Sequence, residues 1–193
     1  MPRLCLAQEP HADELLARDP FALLVGMLLD QQMPMERAFA GPYRLTVRLG
    51  TDRLDPAAVA SQDPAGFVAA MTGPPAVHRF PTAMAGRIQA LARHVVTEYG
   101  GDAAAIWTGA ATGERLRARL EALPGFGPAK AAIFLALLGK QLCVTPPGWR
   151  AAAGLYGEEG SRRSVADVVD RVTLAQVRAD KQARKRMDRA GVT

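Results

Sequence analysis

The sequence predicts an all-α fold, and three features of the chain support that expectation. Apolar residues recur at the three- and four-residue spacing of a helix, most clearly between Phe21 and Leu29. An aspartate followed by proline, a pair that caps and opens a helix, occurs at Asp19, Asp55 and Asp63. No stretch of useful length alternates apolar and polar residues as a half-buried strand does. We therefore expect roughly ten short helices.

Proline and glycine divide the first half of the chain into helices of unequal length. Gly41-Pro42 is expected to interrupt the second helix, because proline removes a backbone donor. Gly73-Pro74-Pro75 forms a loop, and Gly100-Gly101 ends the long helix that follows it. The helices expected in this half are 20–29, 34–49, 56–60, 64–71 and 81–99.

The second half follows the same rules. Gly139 is expected to end an apolar helix that begins at Pro128, and Pro146-Pro147-Gly148 breaks the chain again. Asp102 caps a short helix that ends near Trp107. The other helices expected here are 112–122, 128–138, 149–156, 165–169 and 173–189.

The excess positive charge lies at the end of the chain. The 193 residues carry a formal net charge of +5. Residues 161–193 hold nine Lys/Arg and four Asp/Glu, whereas residues 1–160 are neutral overall. We therefore distinguish a basic helical extension at 161–193, which suits contact with a polyanion. A solubilising or frayed tail is the alternative.

Composition argues against several classes of protein. No apolar run approaches the roughly 18 residues of a membrane span, and the N-terminus lacks the pattern of a secretory signal. We expect a cytoplasmic protein. Cys5 and Cys143 alone cannot supply a four-thiolate iron–sulfur or zinc site. Cys143 stands in an apolar run and is expected to pack in the core.

The strongest functional signal is a glycine-rich hairpin between two apolar helices, Leu123-Pro124-Gly125-Phe126-Gly127-Pro128-Ala129-Lys130. Gly125 and Gly127 permit a tight turn and leave the backbone amides open. The next helix begins at Pro128, so its unpaired N–H groups and positive dipole end point to the same place. This arrangement predicts a backbone nest that grips a DNA phosphate without reading sequence, with Lys130 as a further phosphate contact. An ordinary turn between helices is the alternative.

The hairpin, the run Leu28-Leu29-Asp30-Gln31-Gln32 and the segments 85–88 and 100–102 together carry a resemblance. Over roughly residues 20–156, the chain resembles the helix-hairpin-helix–GPD superfamily of base-excision DNA glycosylases, which includes endonuclease III. More narrowly, it resembles an actinobacterial branch without the iron–sulfur cluster. The resemblance implies two interleaved helical subdomains within residues 1–160, and a pocket between them that receives a flipped nucleotide.

The resemblance also assigns residues to DNA. Gln32, and with it Gln31, would fill the gap that the flipped nucleotide leaves, although surface amides at a helix end are the alternative. The complete set of expected DNA contacts is Gln31, Gln32, Leu123, Gly125, Phe126, Gly127, Ala129, Lys130 and Arg150. A monovalent cation at the hairpin backbone is a further expectation. No metal bound by side chains and no iron–sulfur cluster is expected.

The catalytic groups of the family match this chain poorly. The family pattern Val-Asp-Thr-His-x-x-Arg corresponds to residues 144–150, where Thr145 takes the place of the aspartate. A threonine hydroxyl carries no charge at neutral pH. The lysine of the lyase step corresponds to Ala129, and Lys130 follows it about 100° further around the helix. The acid of the adenine glycosylases corresponds to Met27.

Asp30 is the other acid that the sequence offers for catalysis, since it precedes the two glutamines. Its alternative role is a cap or an ion pair with Arg79 or Arg87. His78 is expected on the surface, and Trp149 in the core.

Two functions follow from these features. The first is a monofunctional repair glycosylase with a non-standard catalytic group, Asp30 or Thr145, acting on damaged double-stranded DNA. The second is a catalytically silent protein on the same scaffold that binds lesions or duplex DNA. A protein-interaction module would leave the hairpin glycines without a purpose. We expect a monomer associated with the nucleoid.

Overall fold

A computed structural model describes residues 3–189 and 191 of the chain. This part of the chain holds ten α-helices and three 3-10 turns without a strand, which confirms the all-α class. The 3-10 turns are Ala103–Ile106, Gly154–Tyr156 and Val165–Asp167. The helices are α1 (Pro10–Arg18), α2 (Pro20–Leu29), α3 (Met35–Leu49), α4 (Pro56–Ser61), α5 (Pro64–Thr72), α6 (Pro81–Tyr99), α7 (Gly113–Glu121), α8 (Pro128–Gln141), α9 (Trp149–Ala153) and α10 (Arg171–Arg189).

Helix α2 is the centre of the core, and every residue from Phe21 to Leu29 is buried. Asp19 begins this helix by accepting a hydrogen bond from the Ala22 N–H at 3.0 Å. Its second oxygen accepts from the Leu54 N–H at 2.8 Å, so one carboxylate fixes both the helix start and a distant loop.

The remaining helices pack in three groups around one continuous hydrophobic core. Helices α1 and α3 pack against α2, while α4 and α5 pack against α6. Helices α7, α8 and α9 pack against one another, and the 3-10 turn at Val165–Asp167 rests on α8. The division into two interleaved subdomains stays a prediction.

Two expected breaks in helices are wrong, because packing outweighs the local signal. Helix α3 continues through Gly41-Pro42, where a Cβ on Gly41 would lie 2.5 Å from Leu29 Cδ1. Helix α8 continues past Gly139, whose missing side chain leaves room for the ring of Trp149. In both helices the glycine allows a close approach rather than ending the helix.

Other expectations changed in smaller ways. Helix α1 is an additional element, and the helices expected near Trp107, at 149–156 and at 165–169 are wholly or partly 3-10 turns. The core position expected for Cys143 is wrong, since its side chain is exposed. Within the described residues, no helix is both long enough and apolar enough to cross a membrane.

The basic segment at the end of the chain packs against the core. Helix α10 buries Leu174 and Val177, and Arg178 forms an ion pair with Glu36 at the start of α3. A frayed tail is therefore wrong for this helix as far as the structure describes it.

Candidate functional site

The hairpin lies between α7 and α8, and buried side chains anchor it. Leu123 and Phe126 point into the core, and the Phe126 ring meets Phe134 edge-on with ring centroids 5.9 Å apart. The Phe126 N–H donates to the Leu123 carbonyl at 3.0 Å and closes the turn. The predicted DNA contacts of these two residues would therefore have to be made by their backbone.

The two hairpin glycines serve different purposes. Gly125 has φ +84°, and a Cβ there would lie 2.5 Å from Leu28 Cδ1, so the fold itself requires a glycine. Gly127 has φ −82° and ψ 174°, and a Cβ there would meet no atom within 4 Å. The fold would accept a side chain at Gly127. A side chain there would extend into open space beside the start of α8.

Backbone donors are open at the start of α8. Gly127 is its N-cap, and no side chain caps this end of the helix. Among the hydrogen bonds of the described residues, none is donated by the N–H groups of Gly127, Ala129 or Lys130. These amides and the positive end of the helix dipole form a site of the kind that binds phosphate.

The ammonium of Lys130 turns away from the start of α8 toward the end of α2. It donates to the carbonyls of Met27 at 2.7 Å and Leu28 at 3.0 Å. Burial lowers the pKa of Lys130 to about 8, while the nearby Asp30 carboxylate opposes that shift. The structure thus gives this ammonium a capping role that the sequence did not indicate. Its contact with DNA stays a prediction.

The turn after α2 presents one fixed glutamine and one free glutamine. The Gln31 amide donates to the Leu28 carbonyl at 2.7 Å and accepts from Arg87 at 3.0 Å. Gln32 is exposed and has φ +55°, a backbone conformation that non-glycine residues rarely adopt. Of the two glutamines, Gln32 is the one whose side chain can extend outward from the protein surface.

His78 holds a second loop against this turn. Only 2% of its surface is exposed, so the surface position expected for it is wrong. Its Nδ1 accepts from the Phe80 N–H at 3.0 Å, and its Nε2 lies 3.0 Å from the Gln31 carbonyl oxygen. The proton therefore resides on Nε2, which donates to that carbonyl.

Phe80 was missed by the sequence analysis. It is 45% exposed beside the Gln31 turn, and the Arg79 guanidinium lies 5.3 Å from the centre of its ring. The available signal was an aromatic residue directly before Pro81, where α6 begins.

A cavity of about 620 Å³ opens beside the start of α8. Asp30 at the end of α2, Pro128 and Ala129 at the start of α8, and residues of α10 contribute to its wall. The resemblance places the lyase lysine of the superfamily at Ala129, whose side chain ends at the β carbon. Thr145 and Arg150 do not line this cavity.

The Asp30 carboxylate is a poorly solvated acid without a fixed partner. None of the hydrogen bonds or ion pairs within the described residues involves this side chain, so the expected ion pair with Arg79 or Arg87 is absent there. Burial raises the pKa of Asp30, and the positive charges of Lys181 and Lys130 oppose the shift. The nearby Glu36 raises the pKa further.

The loop in which the resemblance predicts a catalytic aspartate holds Thr145 and Arg150. Thr145 is exposed in this loop. Arg150 donates to the Gly157 carbonyl at 2.8 Å, and its guanidinium lies 4.6 Å from the ring centre of Trp149. Trp149 is buried, which confirms the core position expected for it.

Comparisons with known proteins leave the family open. No protein-family model matches the chain, and no curated protein matches it either. Membership of the glycosylase superfamily therefore stays a prediction from the motifs. Within the described residues, no group of three or more His, Cys, Asp or Glu side chains is placed to hold a metal ion.

Proposed function

We propose that the protein binds damaged duplex DNA, takes an extruded nucleotide into the cavity beside Asp30, and cleaves its N-glycosidic bond. The observation that carries this proposal is the position of Asp30. It is an unpaired, poorly solvated carboxyl group in a cavity that begins at the first residues of α8, directly after the hairpin. Perturbed acids in clefts of this kind are typical of functional sites.

The hairpin supplies the grip on the DNA backbone. The open amides at the start of α8 bind one phosphate, and the exposed Gly127 lets the DNA approach closely. Arg87 lies beside the hairpin and also donates to Gln31, so it links the phosphate site to the turn after α2.

Two exposed side chains suit the gap that an extruded nucleotide leaves in the duplex. Gln32 projects from its turn, and the Phe80 ring lies on the adjoining loop. The His78 bridge to the Gln31 carbonyl fixes that loop against the turn. An apolar ring and an amide together can replace the stacking and the pairing of the lost base.

Asp30 performs the chemistry in this proposal. Burial raises the pKa of Asp30 and so favours its protonated form. In that form the acid donates its proton to the leaving base as the C1′–N bond breaks. The electron pair of that bond leaves with the base. The carboxylate then stabilises the cationic sugar, and water adds to C1′ and returns its proton to Asp30.

The structure favours hydrolysis over a lyase step. Ala129 lines the cavity without an amine, and the Lys130 ammonium is bonded to the end of α2. No described amine therefore takes the position that the family uses for a covalent intermediate. The exposed Thr145 favours a second candidate function, a silent protein that binds lesions without excising them.

Base release from a panel of duplexes containing uracil, oxidised, alkylated and mismatched bases tests the proposal. We expect release from at least one duplex, and its loss in Asp30→Asn with binding retained. Asp52→Asn is the matched control, because it makes the same change at an exposed carboxylate outside the cavity.

Tight binding of the panel with no release would support the silent binder. A binding constant that does not change with salt would refute the DNA proposal as a whole, because phosphate contacts impose a steep salt dependence.

A further inference from the structure

One wall of the cavity is a row of cations on α10. Val177, Lys181, Arg184 and Lys185 all line the cavity, and their spacing places them on one face of the helix. Val177 is buried and anchors that face, while the cations continue along it toward the end of the helix. The cavity wall is thus built from the segment that carries the excess charge of the whole chain.

The cations that line this cavity outnumber the acids that line it. Asp30 is the acid among the residues that line the cavity, whereas Arg117, Arg163 and the three cations of α10 also line it. Arg117 is paired with Glu121, and Arg184 donates to the Arg163 carbonyl at 3.1 Å. Lys181 and Lys185 make no hydrogen bond or ion pair among the described side chains.

Lys181 and Lys185 are exposed, but the helix that carries them is docked on the protein. Leu174, Val177 and the Arg178–Glu36 ion pair dock α10 in one orientation, which turns Lys181 and Lys185 toward the cavity. Like charges held around one cavity repel one another unless an anion joins them. The volume of about 620 Å³ lies within the range of cavities that bind small molecules.

We propose that Lys181 and Lys185 bind a phosphate group of the nucleotide whose base lies beside Asp30. The cavity then holds the base and the phosphate of one nucleotide, with the base at the Asp30 carboxyl group and the phosphate at α10. Helix α10 thereby becomes part of the binding site. This inference rests on the proposed function, because it requires a nucleotide to enter the cavity.

A chemical double-mutant cycle tests the inference. The protein variants are wild type and Lys181→Gln/Lys185→Gln. The two DNA probes are a mismatched duplex and the same duplex with neutral methylphosphonates on both sides of the mismatched nucleotide. Arg186→Gln is the matched control, since Arg186 is exposed on the same helix and does not line the cavity.

We expect the double variant to bind the charged duplex more weakly and to lower the slope of log K against log salt by about one, the value for one phosphate contact. Neutralising the two phosphates should weaken binding by wild type and by Arg186→Gln, yet leave the double variant almost unchanged. An equal loss for wild type and double variant would overturn the inference, even if both still bind duplex DNA. Failure of wild type to bind either duplex would instead refute the proposed function.

Discussion

We expect a side chain added at Gly125 to lower the free energy of unfolding, and a side chain added at Gly127 to leave it nearly unchanged. Gly125→Ala places a Cβ at φ +84°, and the left-handed backbone costs about 1–2 kcal/mol for a residue with a side chain. The new atom also lies 2.5 Å from Cδ1 of the buried Leu28, and overpacking of this kind costs about 1–3 kcal/mol. We expect a total loss of about 2–5 kcal/mol from the free energy of unfolding.

Gly127→Ser is the matched counterpart. The residue has the extended backbone of an N-cap, nothing lies within 4 Å of its Cβ position, and serine is a preferred N-cap residue. The stability should stay within about 0.5 kcal/mol of wild type or rise slightly. The serine hydroxyl would accept from an amide of the first turn of α8 and remove a donor that the phosphate needs. Affinity for duplex DNA should therefore fall.

Urea unfolding followed by circular dichroism, together with fluorescence anisotropy on a labelled duplex, measures both quantities. A lower urea midpoint is expected for Gly125→Ala, and a wild-type midpoint with weaker binding for Gly127→Ser. Equal destabilisation by both substitutions would refute the structural distinction. Unchanged affinity in Gly127→Ser would place the phosphate site elsewhere.

Two further predictions concern stability. Because burial raises the pKa of Asp30, the folded state binds the proton of this carboxyl group more tightly than the unfolded state does. The stability that this proton contributes at low pH is lost as the pH rises through the folded pKa. The gain in stability of Asp30→Asn over wild type should therefore grow as the pH rises above the usual aspartate pKa of about 4, and a constant difference in urea midpoint would contradict it. Gly139→Ala would overlap the Trp149 ring and should cost about 1–3 kcal/mol, whereas Gly86→Ala on the exposed side of α6 should stabilise by about 0.5–1 kcal/mol. Thermal unfolding of both variants checks that contrast, and melting shifts of the same sign would contradict it.

Local chemistry predicted the helix starts better than the helix ends. Asp19, Asp55 and Asp63 each cap a helix through a side-chain hydrogen bond, because capping needs only residues that are adjacent in sequence. Gly139 failed as a stop signal because its partner, Trp149, approaches from another helix. The residues adjacent to a glycine in sequence do not indicate that another helix packs closely against it.

In the candidate site, too, local motifs could be predicted from the sequence and long-range contacts could not. The sequence identified the hairpin and Asp30, since both belong to local motifs. It could not show that Lys130 reaches back to α2 or that His78 bridges to Gln31, because those contacts join residues far apart in the chain. The distribution of charge along the sequence did not predict that α10 lies along the cavity.

The strongest reason to assign Asp30 to function is the contrast with three acids whose side chains the protein pairs. Asp13 accepts from the Ala7 N–H at 2.7 Å, and Asp19 accepts from two backbone amides. Asp167 forms an ion pair with Lys140 at 2.6 Å. Each of these carboxylates recovers through fixed partners what it loses by leaving water. Asp30 is poorly solvated without such a partner, and its side chain opens onto a cavity walled by unpaired lysines. Because burial raises the pKa of Asp30, its ionised form is less favourable there than in water, and we propose that a ligand in the cavity supplies the missing interactions.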